Sequence, residues 1–466
     1  MSELQISEYQ SPALKANSFA EKAGKKTGKR SPLRADLLAS INDGAAYGGM
    51  VGVGETYLPA FVLAVGLGEV AAGLVTTVPV IAGGAMQLVS PLAIKKLGSH
   101  KRWVVCCAGV QALSFLPLIL AAVNGYISGV AVMLIAAVYW ASGLATGPAW
   151  NTWIGTIVPP PIRARFFAVR TRTSQLCVFA GFMFAGLSLQ YATRYGMEVI
   201  TFAMLFSVAV ICRVVSVWQL SVQSEPTPLP ANMRHIPFMK IWPVLRQGAG
   251  GRLLVYLVMV QAAVQMSGPY FVPYMFKKLE MNYGQFAFFL SLAFLAKVIA
   301  LPFWGKAVKR LGAWRLLWIG GIGITPIGAA WIVSQDFVWI AVLHVASGVA
   351  WAAYELAFFL LFFESIKEEE RTSLLTFYNL MNTVALVAGA LIGGLLLYCM
   401  QASMLGYLWL FGLSSAFRGI ALLFLWRVPS MQVESSGIGV RTISVRPGTA
   451  SVDAPVLPSL PDQLHD

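Results

Sequence analysis

Three ionisable side chains lie deep inside long apolar runs of this 466-residue chain: Glu55, Lys297 and Glu355. A charged side chain in hydrocarbon costs roughly 2.5–3.5 kcal/mol on insertion scales, so such residues mark candidate functional sites. Carboxylates bind and release protons, and a buried carboxylate–ammonium pair breaks when a proton or an ionic solute competes for it. These residue types therefore predict an ion-linked or proton-linked process.

Lys297 and Glu355 lie at matching depths, because each precedes the predicted end of its apolar run by eight residues. The two side chains can therefore pair, either as a coupling device or as a permanent structural pair. Glu55 lies about 18 Å along one helix from Asp43. That position is beyond the membrane midplane and predicts a proton-binding residue. Asp43 lies near the end of its run, where a gate ion pair or a helix-start role is expected.

Polar and aromatic side chains recur at steps of three and four along the first, fourth, seventh and tenth apolar runs. Such spacing places them on one helical face. We predict that these faces bind a solute through Tyr47, Tyr139, Thr146, Trp150, Asn151, Gln261, Gln265, Trp351 and Tyr354. Packing between helices is the alternative, because Trp and Tyr also pack well there. His344 is interpreted as a hydrogen-bonded histidine within the helix bundle.

Charged residues also cluster in two short turns. The turn after the fourth run is basic and contains Arg163, Arg165 and Arg170, whereas the turn after the tenth is mainly acidic and contains Glu364. Arg371 occupies in the second turn the position of Arg163 in the first. Facing each other, the two turns would form a gate that includes Asp43 and closes one side of the membrane. The basic turn also fits ordinary orientation charge.

The elements that position these residues are transmembrane helices. The chain is 57% hydrophobic and 12% charged, whereas soluble domains are about 25% charged. A soluble protein is therefore excluded, and uninterrupted apolar runs exclude a β-barrel, whose strands alternate. We predict an all-α polytopic membrane protein with twelve spans, numbered in chain order, at 37–64, 70–94, 103–123, 128–156, 173–192, 197–221, 252–275, 284–305, 315–334, 337–363, 375–400 and 404–427.

Basic residues are distributed unequally between the two sides of these spans. With the N-terminus inside, the cytoplasmic segments hold 28 Lys and Arg and the outside loops hold three. The positive-inside rule then places both termini in the cytoplasm, at a bacterial plasma membrane. The predicted layout is a disordered basic arm (1–34), a six-helix bundle (35–221), a cytoplasmic linker (222–251), a second six-helix bundle (252–428) and a disordered tail (429–466).

Other function classes find little support in the residues. The cytoplasmic bias explains the net charge of +14, so no nucleic acid is expected as a partner. The five cysteines fall inside apolar runs without metal-ligand spacing. GKKTGKR at residues 24–30 lacks the spacing of a phosphate-binding loop. We therefore predict no metal, no cofactor and no enzymatic activity, in a monomer embedded in the lipid bilayer.

The two halves of the chain repeat one another. PLAIKKLGSHKRW after span 2 is echoed by PFWGKAVKRLGAWR after span 8. Spans 6 and 12 carry arginines at matching positions, Arg213 and Arg418, interpreted as snorkelling residues or scaffold pairs. A repeat of this size predicts two six-helix bundles with a site between them near the midplane.

Twelve spans, a 6+6 repeat, a long connector and basic turns after spans 2 and 8 together resemble the major facilitator superfamily. GETYLPAFVLAVGLGEV (54–70) and PAWNTWIGTIVPPPIRARFFAVRTR (148–172) are similar to a bacterial branch of that superfamily. The resemblance implies that spans 1, 4, 7 and 10 line a central cavity. This chain departs from the family where the turn after span 2 usually carries Asp, because Lys replaces it in both halves.

We therefore predict a secondary transporter that moves a small solute by alternating access, with proton coupling through Glu55, Lys297 and Glu355. The aromatic and amide-rich stripes favour a modest-sized neutral or amphipathic solute. A lipid-moving or lipid-sensing protein on the same scaffold is the first alternative. A membrane-embedded enzyme is the second, although only one histidine, His344, lies within the spans.

Overall fold

A computed structural model describes residues 32–226, 249–365 and 368–426. Their α-helices are Pro32–Val53, Leu58–Ala64, Glu69–Leu74, Val80–Leu97, His100–Leu113, Phe115–Asn124, Gly129–Ile157, Pro160–Thr193, Glu198–Val222, Ala249–Ser267, Phe271–Lys277, Tyr283–Leu311, Ala313–Ile324, Ile327–Val333, Phe337–Ser365, Glu368–Cys399 and Met404–Leu425. Nearly all of the predicted arm, most of the connector and the predicted tail lie outside the described residues.

Grouped by membrane crossing, the helices form twelve spans at 32–64, 69–97, 100–124, 129–157, 160–193, 198–222, 249–277, 283–311, 313–333, 337–365, 368–399 and 404–425. Eleven are long and apolar enough to cross a membrane as continuous stretches. Span 1 is interrupted and carries Asp36, Asp43 and Glu55. Because the number of crossings is even, the described chain begins and ends at the same face, which we name the terminal face. The other is the opposite face.

Spans 5 and 11 begin earlier than predicted, at Pro160 and Glu368 rather than at 173 and 375. An apolar run marks where hydrocarbon begins, whereas a helix continues into water as long as its backbone hydrogen bonds are satisfied. Proline fits the first turn of span 5, because the missing N–H has no helical partner there. These corrections place the charged turn residues on helix rather than on loop.

Spans 1 and 7 are each broken at the same point of the repeat. Gly54 precedes the 3₁₀ turn Glu55–Tyr57, and Ser267 precedes the 3₁₀ turn Gly268–Tyr270. The tyrosine that ends each turn donates a hydrogen bond to a backbone carbonyl of a neighbouring span. Tyr57 bonds the carbonyl oxygen of Phe182 at 3.0 Å, and Tyr270 bonds that of Ala390 at 2.6 Å. The two halves are therefore related in detail, which the apolar pattern alone did not reveal.

Glycines let the broken spans approach their neighbours closely. A Cβ at Gly393 of span 11 would lie 2.0 Å from the backbone oxygen of Met266 in span 7. The backbone cannot retreat from such a contact without moving a whole helix. Gly109 of span 3 is a useful contrast, because a Cβ there would meet nothing within 4 Å.

We expect Gly393→Ala to destabilise the protein by about 1–3 kcal/mol through overpacking. Gly109→Ala, the matched control, should raise stability by up to about 1 kcal/mol, because alanine is the better helix former. Thermal unfolding of the two purified variants, followed by size-exclusion chromatography of the heated samples, measures the loss of stability in the first and the gain in the second. Equal melting temperatures would contradict the close approach of spans 7 and 11.

Candidate functional site

The two bundles meet along spans 5 and 8 in the half of the membrane near the opposite face. The rings of Phe179 and Phe294 stack with centroids 5.4 Å apart, and Tyr57 meets Phe286 edge-on at 5.8 Å. Nearer the opposite face, the Gln190 side-chain oxygen accepts a hydrogen bond from the Gly284 N–H at 2.9 Å. Buried aromatic and polar contacts together close this half of the interface.

A second set of contacts closes the opposite face at span 2. The Glu69 carboxylate accepts a hydrogen bond from the Tyr407 hydroxyl at 2.6 Å and lies 3.0 Å from the Lys278 ammonium. One turn further along span 2, Gly73 packs directly on the ring of Tyr270. Tyr407, Lys278 and Tyr270 all belong to the second bundle, so Glu69 connects the two bundles.

At the middle of spans 2 and 11, Gly84 of the first bundle faces Thr383 of the second. Every bundle-to-bundle hydrogen bond, ion pair and ring contact identified between described side chains lies in the opposite half. The predicted gate residues Arg163, Arg165, Glu364 and Arg371 have side chains outside the described part of the chain.

Lys297 and Glu355 form a buried ion pair within the second bundle. The Lys297 Nζ lies 2.6 Å from a Glu355 carboxylate oxygen, and each side chain is about a tenth exposed. Spans 8 and 10 are held close because Gly348 packs on the backbone of span 8 and the Trp304 indole donates to the Val349 carbonyl at 3.0 Å. The pairing that depth alone indicated is therefore present.

Asp43 is the centre of a buried network in the first bundle. Its carboxylate pairs with Arg170 of span 5 at 2.8 Å and accepts a hydrogen bond from Ser216 of span 6 at 2.6 Å. Ser216 in turn accepts from Arg213 at 2.7 Å. Two positive groups thus surround one carboxylate, and the network joins spans 1, 5 and 6.

Aromatic rings cover both guanidinium groups of this network. The Arg170 guanidinium lies 4.1 Å from the centroid of the Trp150 ring, and the Arg213 guanidinium lies 5.0 Å from that of Tyr47. Such cation–π contacts stabilise a desolvated cation. Snorkelling is therefore wrong for Arg213, which is 3% exposed and bonded inside the bundle. Arg170 contacts Asp43 of its own bundle rather than an acidic turn of the other.

Arg418 is the counterpart of Arg213 in span 12, and it is also buried. Its guanidinium donates to the Ile324 carbonyl at 2.9 Å and to the hydroxyls of Ser267 and Ser414 at 3.1 Å. The contacts tie span 12 to span 9 and to the break in span 7. Arg418 is thus a scaffold residue, and here too the snorkelling alternative is wrong.

Glu55 lies in the break of span 1 and is 9% exposed. The Tyr139 hydroxyl of span 4 donates to its carboxylate at 2.5 Å. Tyr139 in turn packs edge-on against Phe115 and Trp140. The carboxylate is therefore held between spans 1 and 4 in an apolar surround, an environment in which protonation changes the local charge balance strongly.

The predicted solute-binding residues divide into two groups. Half-buried side chains belong to Tyr47, Thr146, Trp150, Asn151, Gln261 and Trp351. Trp150 Nε1, Asn151 Oδ1 and Gln261 Nε2 are buried atoms with no hydrogen-bond partner identified among the described residues. Such unsatisfied polar atoms are costly in a dry site, so a ligand or water is expected to satisfy them.

The buried group comprises Tyr139, Gln265 and Tyr354. Tyr354 packs against Tyr256, and its backbone abuts Gly320 of span 9. It therefore belongs to the packing between spans 7, 9 and 10. His344, as interpreted, is a bonded bundle histidine, because its Nδ1 lies 2.8 Å from the Ile340 carbonyl oxygen and its ring stacks on Phe289.

Sequence reasoning missed two groups at the ends of the spans. The sequence analysis assigns no role to Glu69, Lys278 and Tyr407, although an acid directly before an apolar run and a rare basic residue on the outer side are available signals. The other group is at the terminal face, where Glu225 accepts hydrogen bonds from the Ser99 hydroxyl at 2.5 Å and the Lys101 N–H at 3.2 Å. In this turn, which lacks the usual Asp, a carboxylate comes from the connector.

A groove of about 620 Å³ runs between spans 8 and 10. Its lining is apolar throughout and includes Leu295, Ile299, Phe303 and Val345, all exposed. Its walls come from spans 8 and 10 of the second bundle. Among the described residues, no cluster of His, Cys, Asp and Glu is arranged to hold a metal ion.

Comparison with known proteins is consistent with this architecture. Residues 253–457 match the sequence model of the Major Facilitator Superfamily, and no curated protein sequence matches the chain. Similar solved structures include a mutant of the nucleoside transporter NupG, at 12% identity and a TM-score of 0.64, covering 85% of this chain and 99% of that one. The fold class predicted from the sequence, an all-α polytopic membrane protein with the fold of this superfamily, is confirmed.

Two further proteins of known structure are similar to this chain. A bacterial homologue of the lysosomal transporter Spinster, inward-facing and unoccupied, matches at 13% identity and a TM-score of 0.63, covering 86% of this chain and 98% of that one. A bacterial homologue of the iron transporter ferroportin matches at 15% identity, covering 86% and 99%. Its inward-facing structure gives a TM-score of 0.65 and its outward-facing structure 0.56.

Proposed function

Because residues 253–457 match the Major Facilitator Superfamily and the chain has the fold of known transporters, we propose that it is a secondary transporter that moves a small solute by alternating access. The observation that carries this proposal is the one-sided closure of the molecule. The described bundle-to-bundle contacts lie in the opposite half, and the half-buried residues Trp150, Asn151 and Gln261 carry buried polar atoms with no partner identified among the described residues. Rocking of the bundles about such a site exchanges access between the two faces.

The proposed orientation places the terminal face in the cytoplasm. The charge bias of 28 to three supports this placement, as does the better match to the inward-facing than to the outward-facing ferroportin homologue. The state described is then inward-open, with the opposite face closed toward the outside. A bacterial plasma membrane and a monomer remain the proposed setting.

Protons are the proposed coupling ion. Glu55 and Glu355 are buried carboxylates. Each has a partner that favours its charged form, the Tyr139 hydroxyl for Glu55 and the Lys297 ammonium for Glu355. Protonation of either weakens a contact between two spans, which links proton binding to helix movement. Glu55 lies between spans 1 and 4 in the first bundle, and Glu355 lies between spans 8 and 10 in the second.

The proposed solute is neutral or amphipathic and carries hydrogen-bonding groups. The unsatisfied atoms are an indole N–H, an amide oxygen and an amide N–H, which together match a hydroxyl or amide group better than a formal charge. Nucleosides fit this description and are transported by NupG, to which the chain is structurally similar. They are therefore the first compounds to test.

The experiment uses purified protein in liposomes that contain a pH-sensitive dye. Nucleosides, sugars, amino acids, organic acids and amphipathic drugs are added in turn, and solute uptake and internal pH are recorded together. We expect a proton flux that depends on one solute class and is absent from empty liposomes. Solute uptake without proton flux would contradict coupling, and no uptake across the panel would contradict the proposed solute class.

Lipid movement is the second candidate, favoured by the apolar groove between spans 8 and 10. The groove is wide enough for an acyl chain and open to the bilayer. In the same liposomes, fluorescent phospholipids report movement between leaflets. Lipid movement with no uptake of any water-soluble solute would favour this candidate.

A further inference from the structure

Glu69 differs from the other membrane carboxylates because it joins the two bundles. It begins span 2 in the first bundle, whereas its partners Lys278 and Tyr407 lie after span 7 and in span 12 of the second. Its ion pair is the one identified between the bundles within residues 32–226, 249–365 and 368–426. Opening the opposite face must separate Glu69 from Lys278 and Tyr407.

Two of these residues, Glu69 and Lys278, are partly exposed, whereas Tyr407 is buried. The Lys278 and Glu69 side chains are 23% and 15% exposed, about twice the values for Lys297 and Glu355. Lys277, the preceding residue, is exposed. A proton from that side therefore reaches Glu69 without crossing the closed interface.

We propose that Glu69 is a charge-dependent latch, which holds the opposite face closed when ionised and releases it when protonated from that side. The proposal rests on the alternating-access function above and adds the point at which acid acts on the closed gate. The buried pair of Lys297 and Glu355 lies within one bundle and cannot serve this purpose directly.

The chemistry of the surrounding groups supports the direction of the effect. The titratable groups that face Glu69 or its partners are Lys278 and Tyr407, in direct contact, and Tyr270 and Tyr274, which pack behind. Among these residue types, only a carboxylate takes up a proton when the solution is made acidic. The neutral form of Glu69 keeps a hydrogen bond with Tyr407 but loses the ion pair. The closed state is then held by that hydrogen bond, by the packing of Gly73 on Tyr270 and by the contacts between spans 5 and 8.

The test measures the opening of the opposite face without any solute. Spin labels are placed at Tyr126 and Val338, which are exposed on the opposite face of the first and second bundle. The five native cysteines are replaced by alanine beforehand. Pulsed electron–electron double resonance then gives the distribution of distances between the two spin labels. The protein is measured in nanodiscs at neutral pH and at about pH 4.5.

In the parent protein we expect the shorter distance between the labels to dominate at neutral pH. In acid, the population with the longer distance should increase reversibly. Glu69→Gln should raise the open-to-closed ratio at neutral pH about fivefold and remove its dependence on pH. Lys278→Met should act in the same direction, which provides a second variant should the first fold poorly. Glu280→Gln and Lys277→Met are matched controls at exposed positions and should behave like the parent.

Three results would overturn the latch, and they have different meanings. If both distances occur but Glu69→Gln and Lys278→Met keep the parent's ratio and pH response, alternating access stands and the latch is wrong. If one distance persists in every variant and at both pH values, the proposed opening of this face is itself wrong. If Glu69→Gln changes the open-to-closed ratio but still responds to pH, a group other than Glu69 binds the proton that opens this face.

Discussion

Removal of either partner of the Lys297–Glu355 pair is expected to destabilise the protein by roughly 3–5 kcal/mol, because a buried charge is left without compensation. Lys297→Met leaves the carboxylate in the membrane interior, and Glu355→Gln leaves the ammonium. The double variant removes both charges and should recover most of the lost stability. Thermal unfolding of the purified single and double variants measures the three values.

The same variants separate the two roles that the sequence leaves open for this pair. A permanent structural pair predicts that the stable double variant transports solute with its proton flux intact. A coupling pair predicts that the double variant moves solute down its gradient but no longer moves protons with it. The liposome assay that records solute and internal pH together distinguishes these outcomes, because stability is restored in both.

Lys306→Met is the matched control, since Lys306 is exposed on the same span. It should leave stability within about 0.5 kcal/mol of the parent. If the single variants at Lys297 and Glu355 were as stable as this control, the pair would not be desolvated as its 2.6 Å separation and burial indicate. If the double variant were no more stable than the singles, compensation between the two charges would be wrong.

The spans and the Lys297–Glu355 pair could be predicted because they depend on position along single helices. Apolar length gives the crossings, and distance from a helix end gives depth. Lys297 and Glu355 share a depth, and the two helices that carry them are neighbours, so counting was sufficient. The breaks at Gly54 and Gly268 could not be found in this way, because a 3₁₀ turn in an apolar run leaves the hydropathy unchanged.

The Asp43 network required information that depth does not contain. Asp43 and Arg170 were both expected at a gate, but their contact depends on the rotation of spans 1 and 5 about their axes and on the close approach of these helices. Gly48 makes that approach possible, since a Cβ there would lie 2.3 Å from the Ser174 carbonyl oxygen. Arg213 entered the same network through Ser216, a residue too common for its spacing to be informative.

The acid in the break of span 1 leads to the second large effect. Glu55→Gln is expected to abolish the pH dependence of solute uptake, because the amide still accepts the hydrogen bond from Tyr139 but no longer binds a proton. Stability should be unchanged or higher, since a buried carboxylate is replaced by a neutral group of the same shape. Uptake into liposomes across a range of external pH, with melting temperatures measured in parallel, tests both statements.

Tyr139→Phe provides the complementary change. It removes a donor that favours the ionised carboxylate and should cost about 1–3 kcal/mol of stability. Because the charged form of Glu55 loses support, the midpoint of the pH–uptake curve should move to higher pH rather than disappear. Tyr126→Phe, at an exposed position of the first bundle, is the control that should leave the curve in place.

The combination of the two variants tests whether Glu55 is the residue that binds the coupling proton. If Glu55 binds the coupling proton, Tyr139→Phe in the Glu55→Gln background should no longer move any midpoint, because the titrating group has gone. If Glu55→Gln retained normal pH-dependent uptake, the proton would bind elsewhere, and the Lys297–Glu355 pair would be left as the buried acid able to bind it among those considered. Since the two acids lie in different bundles, that result would also reassign proton coupling from the contact of spans 1 and 4 to that of spans 8 and 10.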